Sequence, residues 1–522
     1  MRVAVVGGGP GGLFVAALLR SADPRREVTV YERNRAEDTF GFGVVFSDAT
    51  LAGIDDADPV LRTALTEHGV HWDPIEVRVH GERLRCGGNG MAAVERRTLL
   101  RLLQERAAEV GVEVRYATEA DPDALLSAGA DLVVAADGAN SRVRARFAGT
   151  AGATVETASA KFIWLGTTYP FAGLTFVHER GPHGVFAVHG YPIGSGVSTF
   201  IVETDEASWR AAGLDAFDVT QPPGPSDERS RAYLEELFAG QLDGAELLVN
   251  NSRWSNFRTL RTRRWTARAG RTAVALLGDA AHTAHFSVGS GTKMAMEDAV
   301  ALAAALDAHG DDVDAALAAY EAARQPQVAR IQDAARPSLS WWEHVGRSHD
   351  ALPAWQFAYH FLTRSLTDAR LRRRDEGFVA QVHARWAAEH GAEPLASPLE
   401  LAGRRVPGRV VEVAGDAVRY PGGALPLAAG PPGAGPWGLA VTAPDAEQDL
   451  PPALDAVAAG VRAGADLVAV GGGTPLTRRL LCEAARLEHG AAALLVEDAD
   501  ADTATTAVLS GRTDLVAGGA RR

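Results

Sequence analysis

Apolar and polar positions in the first third of the chain follow strand and helix periodicities in turn. The run Arg2–Val6, apolar from Val3 onward, leads into a glycine cluster, a helical segment follows at Leu13–Arg20, and a second apolar run occupies 28–31. This order predicts a strand–helix–strand unit. Helical spacing between 95 and 110, followed by the apolar run 130–136, predicts a helix and a further strand of the same sheet.

Four short runs rich in β-branched and aromatic residues come next, separated by Gly and Pro. They predict a second, antiparallel sheet with strands at Phe162–Thr167, Leu174–Glu179, Gly184–Val188 and Ser198–Glu203. Alanine-rich helical periodicity from 294 to 335 then indicates a return to the first domain. We therefore predict an α/β fold in which a Rossmann-like domain is interleaved with an antiparallel-sheet domain.

The last quarter of the chain differs in composition. Gly, Pro and Ala crowd into 421–436, and strand–helix patterns follow at 465–470 and 491–496. These features predict a small C-terminal α/β unit. The predicted domains are 1–160 with 250–335 for the first domain, 161–249 for the sheet domain, 336–393 for a helical extension, and 397–522 for the C-terminal unit.

Composition narrows the classes of function. The chain has 522 residues, of which 46% are hydrophobic, and no apolar run approaches the roughly 20 residues that cross a bilayer. The first residues leave no room for a signal peptide, so we expect a cytoplasmic protein without membrane contact. A net charge of −14 disfavours nucleic acid. Cys86 and Cys482 have no metal-ligand spacing, so no metal site is expected.

The first turn carries a dinucleotide-binding pattern, G-x-G-x-x-G, between a strand and a helix. Glycines let the backbone approach a pyrophosphate, whose charge the helix N-terminus favours. Glu32 follows at the end of the second strand, where a carboxylate accepts hydrogen bonds from ribose hydroxyls and repels a 2′-phosphate. The pattern predicts FAD or NAD, with contacts from Gly7, Gly9, Pro10, Gly11, Gly12, Glu32 and Arg33.

Two further motifs separate these cofactors. The segment 137–144 reads D-G-x-x-S-x-x-R, and Gly278–His282 begins with Gly-Asp after an apolar strand. Together with the first turn they resemble the fingerprint of the para-hydroxybenzoate hydroxylase class of FAD monooxygenases. Asp279 suits a ribityl hydroxyl, and the following turn offers backbone amides to the flavin ring. The resemblance adds cofactor contacts at Arg96, Asp137, Asp279, Gly289, Ser290, Gly291 and Thr292.

Longer segments are similar to one branch of that class, which contains salicylyl-CoA 5-hydroxylase and anthraniloyl-CoA monooxygenase. The resemblance covers about residues 1–390. Phe286 and Lys293 replace a proline and an asparagine that are usual in the class, which sets the branch apart. The segments that carry the resemblance are 41–48, 161–167, 198–203 and 282–293.

The resemblance implies bound FAD, transient NADH or NADPH, and O2, with oxygen transferred to an electron-rich ring through a flavin C4a-hydroperoxide. Catalytic positions are expected at His285, Phe286 and Gly289. The implied reaction is 5-hydroxylation of salicylyl-CoA to gentisyl-CoA. Anthraniloyl-CoA, or tryptophan or another free arene, stays open as the substrate, and a flavin-binding protein without oxygenase activity is a further alternative.

Substrate contacts are expected from both domains. His189 and Tyr191 follow a strand of the second sheet and either line the pocket or belong to its core. Seven arginines fall between 253 and 271. Among them Arg258 and Arg261 are expected to contact the substrate, and the cluster to meet CoA or nicotinamide phosphates, although a solvated face explains such a cluster equally well.

The tail from about residue 397 resembles the opening and later strands of an old yellow enzyme barrel. The 126 residues from 397 to 522 fall far below the roughly 250 that such a barrel needs. The tail is therefore interpreted as a truncated remnant of that domain. The protein is expected to be a monomer or a homodimer.

Overall fold

A computed structural model of the chain describes residues 1–39, 41–47, 52–218, 224–288, 291–433 and 435–517. The chain divides into two compact units. The first comprises 1–75 and 89–343, and the second comprises 76–88 and 344–522. The boundaries of the four domains expected from the sequence stay predictions.

The first unit is organised around a six-stranded sheet. Its central strand, Arg2–Val6, pairs in parallel with Glu27–Tyr31 on one side and with Leu132–Ala135 on the other. Four consecutive side chains of Arg2–Val6 are buried, as expected for a parallel sheet covered on both faces. In spatial order the strands are Thr266–Ala269, Thr272–Leu276, Leu132–Ala135, Arg2–Val6, Glu27–Tyr31 and Glu113–Arg115. This arrangement confirms the predicted Rossmann-like domain.

Helices surround this sheet. Pro10–Ala22 begins with Pro10 at its first position, where a missing N–H costs nothing, and buries nine side chains or glycines. The predicted helical stretch 294–335 is two helices, because Gly310 adopts a left-handed φ of 57° between them. Residue 335 lies inside the second of these. The helices are Pro10–Ala22, Ala52–Ala57, Val60–His68, Arg96–Glu109, Pro122–Ser127, Arg142–Arg146, Ala148–Ala151, Gly291–His309 and Val313–Glu343.

The second sheet of this unit is antiparallel, as predicted. Its longest strand, Ala153–Thr167, pairs with Val197–Thr204 and, on the other edge, with Leu247–Leu248 and Ser255–Thr262. The sheet continues from Val197–Thr204 to Gly184–Gly194 and Thr175–Gly181. Four of these strands overlap the predicted ones, whereas Leu247–Leu248 and Ser255–Thr262 were not predicted as strands. Phe186, Phe200, Phe238 and Trp254 form its buried core.

Smaller elements complete the first unit. A three-stranded sheet orders Gly43–Ser47, Met91–Glu95 and Val70–Trp72. The helices Glu206–Ala211, Glu228–Leu237 and Ala239–Leu242 accompany the antiparallel sheet, and single 3-10 turns occupy Leu214–Ala216, Gly278–Ala280 and Phe286–Val288.

The second unit contains a helical segment and a sheet. The strand Ile75–Val79, whose first residue belongs to the first unit, is followed by Glu82–Cys86. The helices are Val345–Ala351, Ala354–Leu362, Asp368–Arg372 and Glu376–His390, and a 3-10 turn follows at Pro394–Ala396. Within Ala354–Leu362 every side chain is buried. This helix is therefore an internal element of the unit.

The C-terminal sheet has seven strands. It begins with hairpins and ends with four parallel strands, each joined to the next by a helix, so the predicted small α/β unit is confirmed. Its origin as a remnant of an old yellow enzyme stays a prediction. In order, the strands are Glu412–Ala414, Ala417–Tyr420, Gly423–Ala428, Gly438–Ala443, Leu467–Gly472, Ala492–Val496 and Leu515–Ala517.

The elements between and before these strands are short. Leu399–Leu401 and Arg404–Val406 form a separate hairpin. The helices are Pro451–Arg462, Pro475–Glu483 and Ala501–Leu509, with a 3-10 turn at Glu447–Asp449 and a π-helical turn at Ala484–Glu488. Across the described ranges of both units, no helix combines the length and apolar character needed to span a membrane.

Candidate functional site

The glycine-rich turn after Arg2–Val6 has the geometry of a phosphate-binding loop. A Cβ on Gly12 would lie 2.0 Å from the carbonyl oxygen of Gly7, so the loop closes only with glycine there. Gly7 itself has a φ of 106°. A Cβ on Gly9 would meet no atom within 4 Å, which leaves the outer side of the turn open. The turn can therefore receive a pyrophosphate at the N-terminus of Pro10–Ala22.

Glu32 anchors this loop. One of its carboxylate oxygens accepts a hydrogen bond from the backbone N–H of Gly8 at 2.7 Å, and the other accepts two from Asn34 at 2.8 Å. Arg33 beside it is exposed. The carboxylate keeps further lone pairs, so Glu32 can hold the loop and still accept a ribose hydroxyl.

The second motif joins two turns of the site. Asp137 accepts the backbone N–H of Arg142, the first residue of the short helix Arg142–Arg146, at 2.8 Å. From that helix the Arg144 guanidinium donates to the carbonyl of Ala139 at 2.6 Å and to that of Ala280 at 2.8 Å. Arg144 therefore ties the Asp-Gly turn to the Gly-Asp turn. The role of Asp137 as a direct cofactor contact stays a prediction.

Asp279 lies within electrostatic range of Arg96. The Asp279 side chain is exposed, yet the protein around it raises the pKa of its carboxyl, as expected where the carboxylate is reachable but poorly hydrated. Desolvation likewise lowers the pKa of the half-buried Arg96, while the charges of Asp279 and Tyr191 act in the opposite direction. Both predicted contacts thus face the same region.

A buried carboxylate fixes the Gly-Asp turn in place. Asp298, which is fully buried, accepts the backbone N–H of Gly278 at 3.0 Å and lies 2.7 Å from His282 Nε2. Its other oxygen accepts from Arg324 Nε at 2.8 Å, and Arg324 also pairs with Glu297. Burial raises the pKa of Asp298, but His282 and Arg324 outweigh burial and lower it. Asp298 is therefore held as an anion that orients the turn.

The helix Gly291–His309 begins where the sequence places the flavin-facing amides. A Cβ on Gly291 would meet no atom within 4 Å, so the backbone there is approachable. Gly291 and Thr292 are its first residues, and the free N–H groups of a helix N-terminus attract electron-rich atoms. Gly289 and Ser290, also predicted to contact the cofactor, lie outside the described residues. The described parts of all three motifs fit an FAD molecule.

Phe286 lies among aromatic side chains. The ring centroids of Phe162, Trp164 and His189 are 5.0, 5.7 and 5.5 Å from that of Phe286, and Phe257 is 6.1 Å away. Phe286, Phe162, Trp164 and Phe257 are only half-buried, so part of each apolar ring remains uncovered. Uncovered aromatic faces of this kind suit a planar aromatic ligand.

A carboxylate joins the two predicted histidines. Glu203, which is 1% exposed, has one oxygen 2.6 Å from His189 Nε2 and the other 3.2 Å from His285 Nε2. Burial raises the pKa of Glu203, but the charges of His285 and His189 outweigh it and lower the pKa to about 2. Glu203 is therefore an anion between two imidazoles beside Phe286.

The other predicted substrate contacts are placed as follows. Tyr191 is buried and donates to the Gly43 carbonyl at 3.3 Å, and burial raises its pKa to about 12. Arg258 donates to the Asn140 side chain at 3.1 Å. Arg261 pairs with Asp333 at 2.9 Å. Their roles toward a substrate, like the catalytic roles of His285, Phe286 and Gly289, stay predictions.

Sequence reasoning missed Glu203 and Asp298. Glu203 follows the apolar run Phe200–Val202, and Asp298 lies beside Glu297 in the alanine-rich helix, so neither is marked out by its sequence neighbours. A charge in a buried element is costly unless it is paired, so burial of either acid would signal a buried partner. The identity of the partner, however, depends on the fold.

Comparison with known proteins supports FAD as the cofactor. The FAD binding domain family matches residues 1–335. Salicyloyl-CoA 5-hydroxylase of a Streptomyces species is 58% identical over 523 residues, spanning 99% of this chain and 100% of that protein. A 3-hydroxy-4-methyl-anthranilyl-(aryl-carrier protein) 5-monooxygenase of Streptosporangium sibiricum is 40% identical, over 66% of this chain and 90% of that protein.

A solved structure agrees in fold. The p-nitrophenol 4-monooxygenase of Pseudomonas putida DLL-E4 has a TM-score of 0.54 and 21% identity, covering 73% of this chain and 96% of that one. The chain uses FAD as its cofactor, with NAD(P)H and O2 as co-substrates. It belongs to the FAD binding domain family and is a flavoprotein aromatic monooxygenase of the para-hydroxybenzoate hydroxylase type.

Proposed function

We propose that this monooxygenase hydroxylates the ring of an aromatic acyl-CoA, with salicylyl-CoA converted to its 5-hydroxy product, gentisyl-CoA. The observation that carries this proposal is the 58% identity to a salicyloyl-CoA 5-hydroxylase over the whole of that protein. The carrier-protein-linked anthranilyl group in the name of the second relative adds support, because it too is an aromatic acyl group on a large carrier.

FAD, when bound and reduced by NAD(P)H, supplies the activated oxygen from O2. The residues that would hold it are those of the glycine turn, Glu32, Arg96 and Asp279, together with the N-terminus of Gly291–His309. Arg144 and Asp298 act through the turns that they fix, and so they position this cofactor without touching it.

The aromatic side chains around Phe286 are proposed to bind the substrate ring. Their uncovered faces exclude water and restrict the ring to a plane, and both effects favour oxygen transfer. The indole N–H of Trp164 is buried and meets no acceptor within the part of the chain that the structure describes. We propose that it donates to an oxygen of the substrate.

The CoA portion is proposed to lie along the arginine-rich strand Ser255–Thr262. A groove of about 510 Å³ is lined by Arg261, Thr262 and Arg263 from this strand end and by residues 152–154 opposite. Arginine binds phosphate through several N–H groups in a fixed plane, which suits the phosphates of CoA. Arg258 lies on the same strand and faces the Asp-Gly turn through Asn140.

The test is NADH and NADPH consumption by the FAD-loaded enzyme, measured separately with salicylyl-CoA, anthraniloyl-CoA, free salicylate and tryptophan. Mass spectrometry identifies each product. We expect salicylyl-CoA to stimulate turnover and to gain one oxygen. Turnover with anthraniloyl-CoA alone would change the assigned substrate ring from salicylyl to anthraniloyl. Turnover with only free salicylate or tryptophan would overturn the acyl-CoA proposal. Cofactor oxidation without any hydroxylated product would overturn hydroxylation of all four compounds.

We also propose that the C-terminal sheet is a truncated relative of an old yellow enzyme domain that has no flavin of its own. Its parallel strands between 423 and 517 make up only part of the closed barrel that such domains need. Cofactor extraction from purified protein should yield about one FAD per chain and no FMN. Recovery of FMN in comparable amount would contradict this proposal.

A further inference from the structure

The Glu203 cluster continues beyond the two histidines to a half-buried hydroxyl. His285 Nδ1 lies 2.8 Å from Ser287 Oγ, and Ser287 Oγ lies 2.9 Å from Ser338 Oγ. Ser287 follows Phe286 directly and precedes the turn that leads to the flavin-facing helix. A carboxylate, an imidazole and a hydroxyl are therefore connected in series at the aromatic end of the site.

The surroundings of His285 determine which ring nitrogen carries the proton. The backbone N–H of Ser287 points to Nδ1 at 3.3 Å, so Nδ1 acts as an acceptor. Nε2 faces the Glu203 carboxylate, which favours a proton on that nitrogen. In this tautomer Nδ1 has a lone pair for the Ser287 hydroxyl proton.

Few charged groups face this imidazole. Glu203 approaches from strand Val197–Thr204, and His189 lies beyond it on strand Gly184–Gly194. From strand Ser255–Thr262 the neighbour is Phe257, whose ring is 4.9 Å away, and helix Val313–Glu343 contributes Ser338 through Ser287. Within the described ranges, Glu203 is thus the anion that faces His285.

We propose that Ser287, His285 and Glu203 form a proton relay that ionises the ring hydroxyl of the bound arene. The O–H bond of the arene breaks and its electron pair stays on oxygen. Ser287 Oγ takes that proton while its own hydroxyl proton passes to His285 Nδ1, so the positive charge comes to rest beside Glu203. Ser287 touches the substrate in this step, and Glu203 is a positioning residue that acts through His285.

This inference rests on the proposed ring hydroxylation and narrows its substrate class. A phenol, with a pKa of about 10, loses its proton to an imidazole, with a pKa of about 6.5, where a neighbouring anion stabilises the imidazolium. The resulting phenolate is more electron-rich at the position para to oxygen. An arylamine does not lose a proton under these conditions. The relay therefore selects a hydroxyarene over an aminoarene.

The test compares Ser287→Ala, which removes the hydroxyl, with Ser287→Thr, which keeps it. With the hydroxyarene that wild type turns over, we expect Ser287→Ala to lose about 10- to 100-fold in kcat at pH 7. The loss should shrink at alkaline pH, where solvent ionises the phenol, and Ser287→Thr should stay near wild type. Glu203→Gln should displace the same pH profile, whereas Glu179→Gln on Thr175–Gly181, two strands away in the same sheet, serves as the matched control.

A second measurement is independent of turnover. The ¹³C shift of the labelled ring carbon that bears the hydroxyl reports its ionisation in the holoenzyme without NAD(P)H. We expect the phenolate shift in wild type at pH 7 and the phenol shift in Ser287→Ala. Equal ¹³C shifts in wild type and Ser287→Ala, together with unchanged pH profiles in Ser287→Ala and Glu203→Gln, would overturn the relay. If salicylyl-CoA is not turned over, the acyl-CoA proposal fails by itself, and the comparison is repeated with the hydroxyarene that is.

Discussion

The two sides of the site are built in different ways. The cofactor side consists of turns whose contacts are mostly backbone groups, such as the N–H of Gly8 on Glu32 and that of Gly278 on Asp298. The ring side consists of side chains from separate strands and loops, with Glu203 between His189 and His285. Backbone contacts tolerate almost no added volume, whereas side-chain contacts depend on charge and protonation.

This difference predicts different responses to substitution. Changes on the cofactor side should remove FAD or destabilise the fold, because the turns have one workable conformation. Changes on the ring side should leave FAD bound and alter pH dependence or substrate preference. The following predictions test that division, in order of expected effect.

The largest effect is expected for Gly12→Val. Its Cβ would lie 2.0 Å from the carbonyl oxygen of Gly7, so the loop must open and lose its phosphate-binding shape. We expect complete loss of bound FAD, measured as the flavin-to-protein absorbance ratio after desalting. Gly149→Val is the matched control, because a Cβ there meets nothing within 4 Å. Retained FAD in Gly12→Val would contradict the assignment of this turn.

Asp298→Ala should have the next largest effect. It leaves His282 without its buried anion and Arg324 with Glu297 alone, and breaking a buried pair in this way costs about 3–5 kcal/mol of unfolding free energy. Chemical denaturation measures the change. Asp307→Ala on the same helix removes a half-exposed partner of Arg26 and should cost less than about 1 kcal/mol. Equal losses in the two variants would refute the buried network.

Glu203 should make stability depend on acid pH. Its pKa is lowered from 4.5 to about 2 in the folded protein, so its contribution is fully present above pH 4.5 and is lost as pH falls through about 2. The gap in unfolding free energy between wild type and Glu203→Gln should therefore change by roughly 3 kcal/mol over that interval. Denaturation curves at several acid pH values measure it. A gap that does not vary with pH would show that Glu203 is not ionised in the fold.

The smallest effect is expected at the arginine strand. Arg261→Ala should raise KM for the CoA ester about two- to five-fold at low salt and less at high salt, since one exposed charge contributes little. KM for a free arene should not change. Arg268→Ala, whose partner is Asp314 and which does not line the groove, is the control. Equal effects of both variants would indicate general electrostatics and no CoA site.

Local patterns predicted much of the fold. The strand Arg2–Val6 has the predicted bounds, and the helix expected at 13–20 lies inside Pro10–Ala22. Four strands of the antiparallel sheet were recognisable from alternation and turn residues, whereas Leu247–Leu248 and Ser255–Thr262 were not predicted. The break at Gly310 was missed, because alanine-rich helical spacing continues through it and only a left-handed glycine interrupts the helix.

The ring side could not be predicted to the same depth. His189 and His285 were candidates, but nothing in their sequence surroundings joins them to each other or to Glu203. Strand register brings His189 and Glu203 together. Ala187 pairs with Glu203 and His189 pairs with Ile201, so the His189 and Glu203 side chains lie on neighbouring strands, near the loop that carries His285. A shift of one residue would have moved each side chain to the other face of the sheet.

The amino-acid sequence by itself determined the cofactor turns and the α/β class, because glycine conformations and hydrophobic periodicity act over a few residues. Only the tertiary structure decided that Glu203, Asp298 and Ser287 belong to the site. Their importance comes from burial beside particular partners, and burial is a property of packed elements that are distant along the chain.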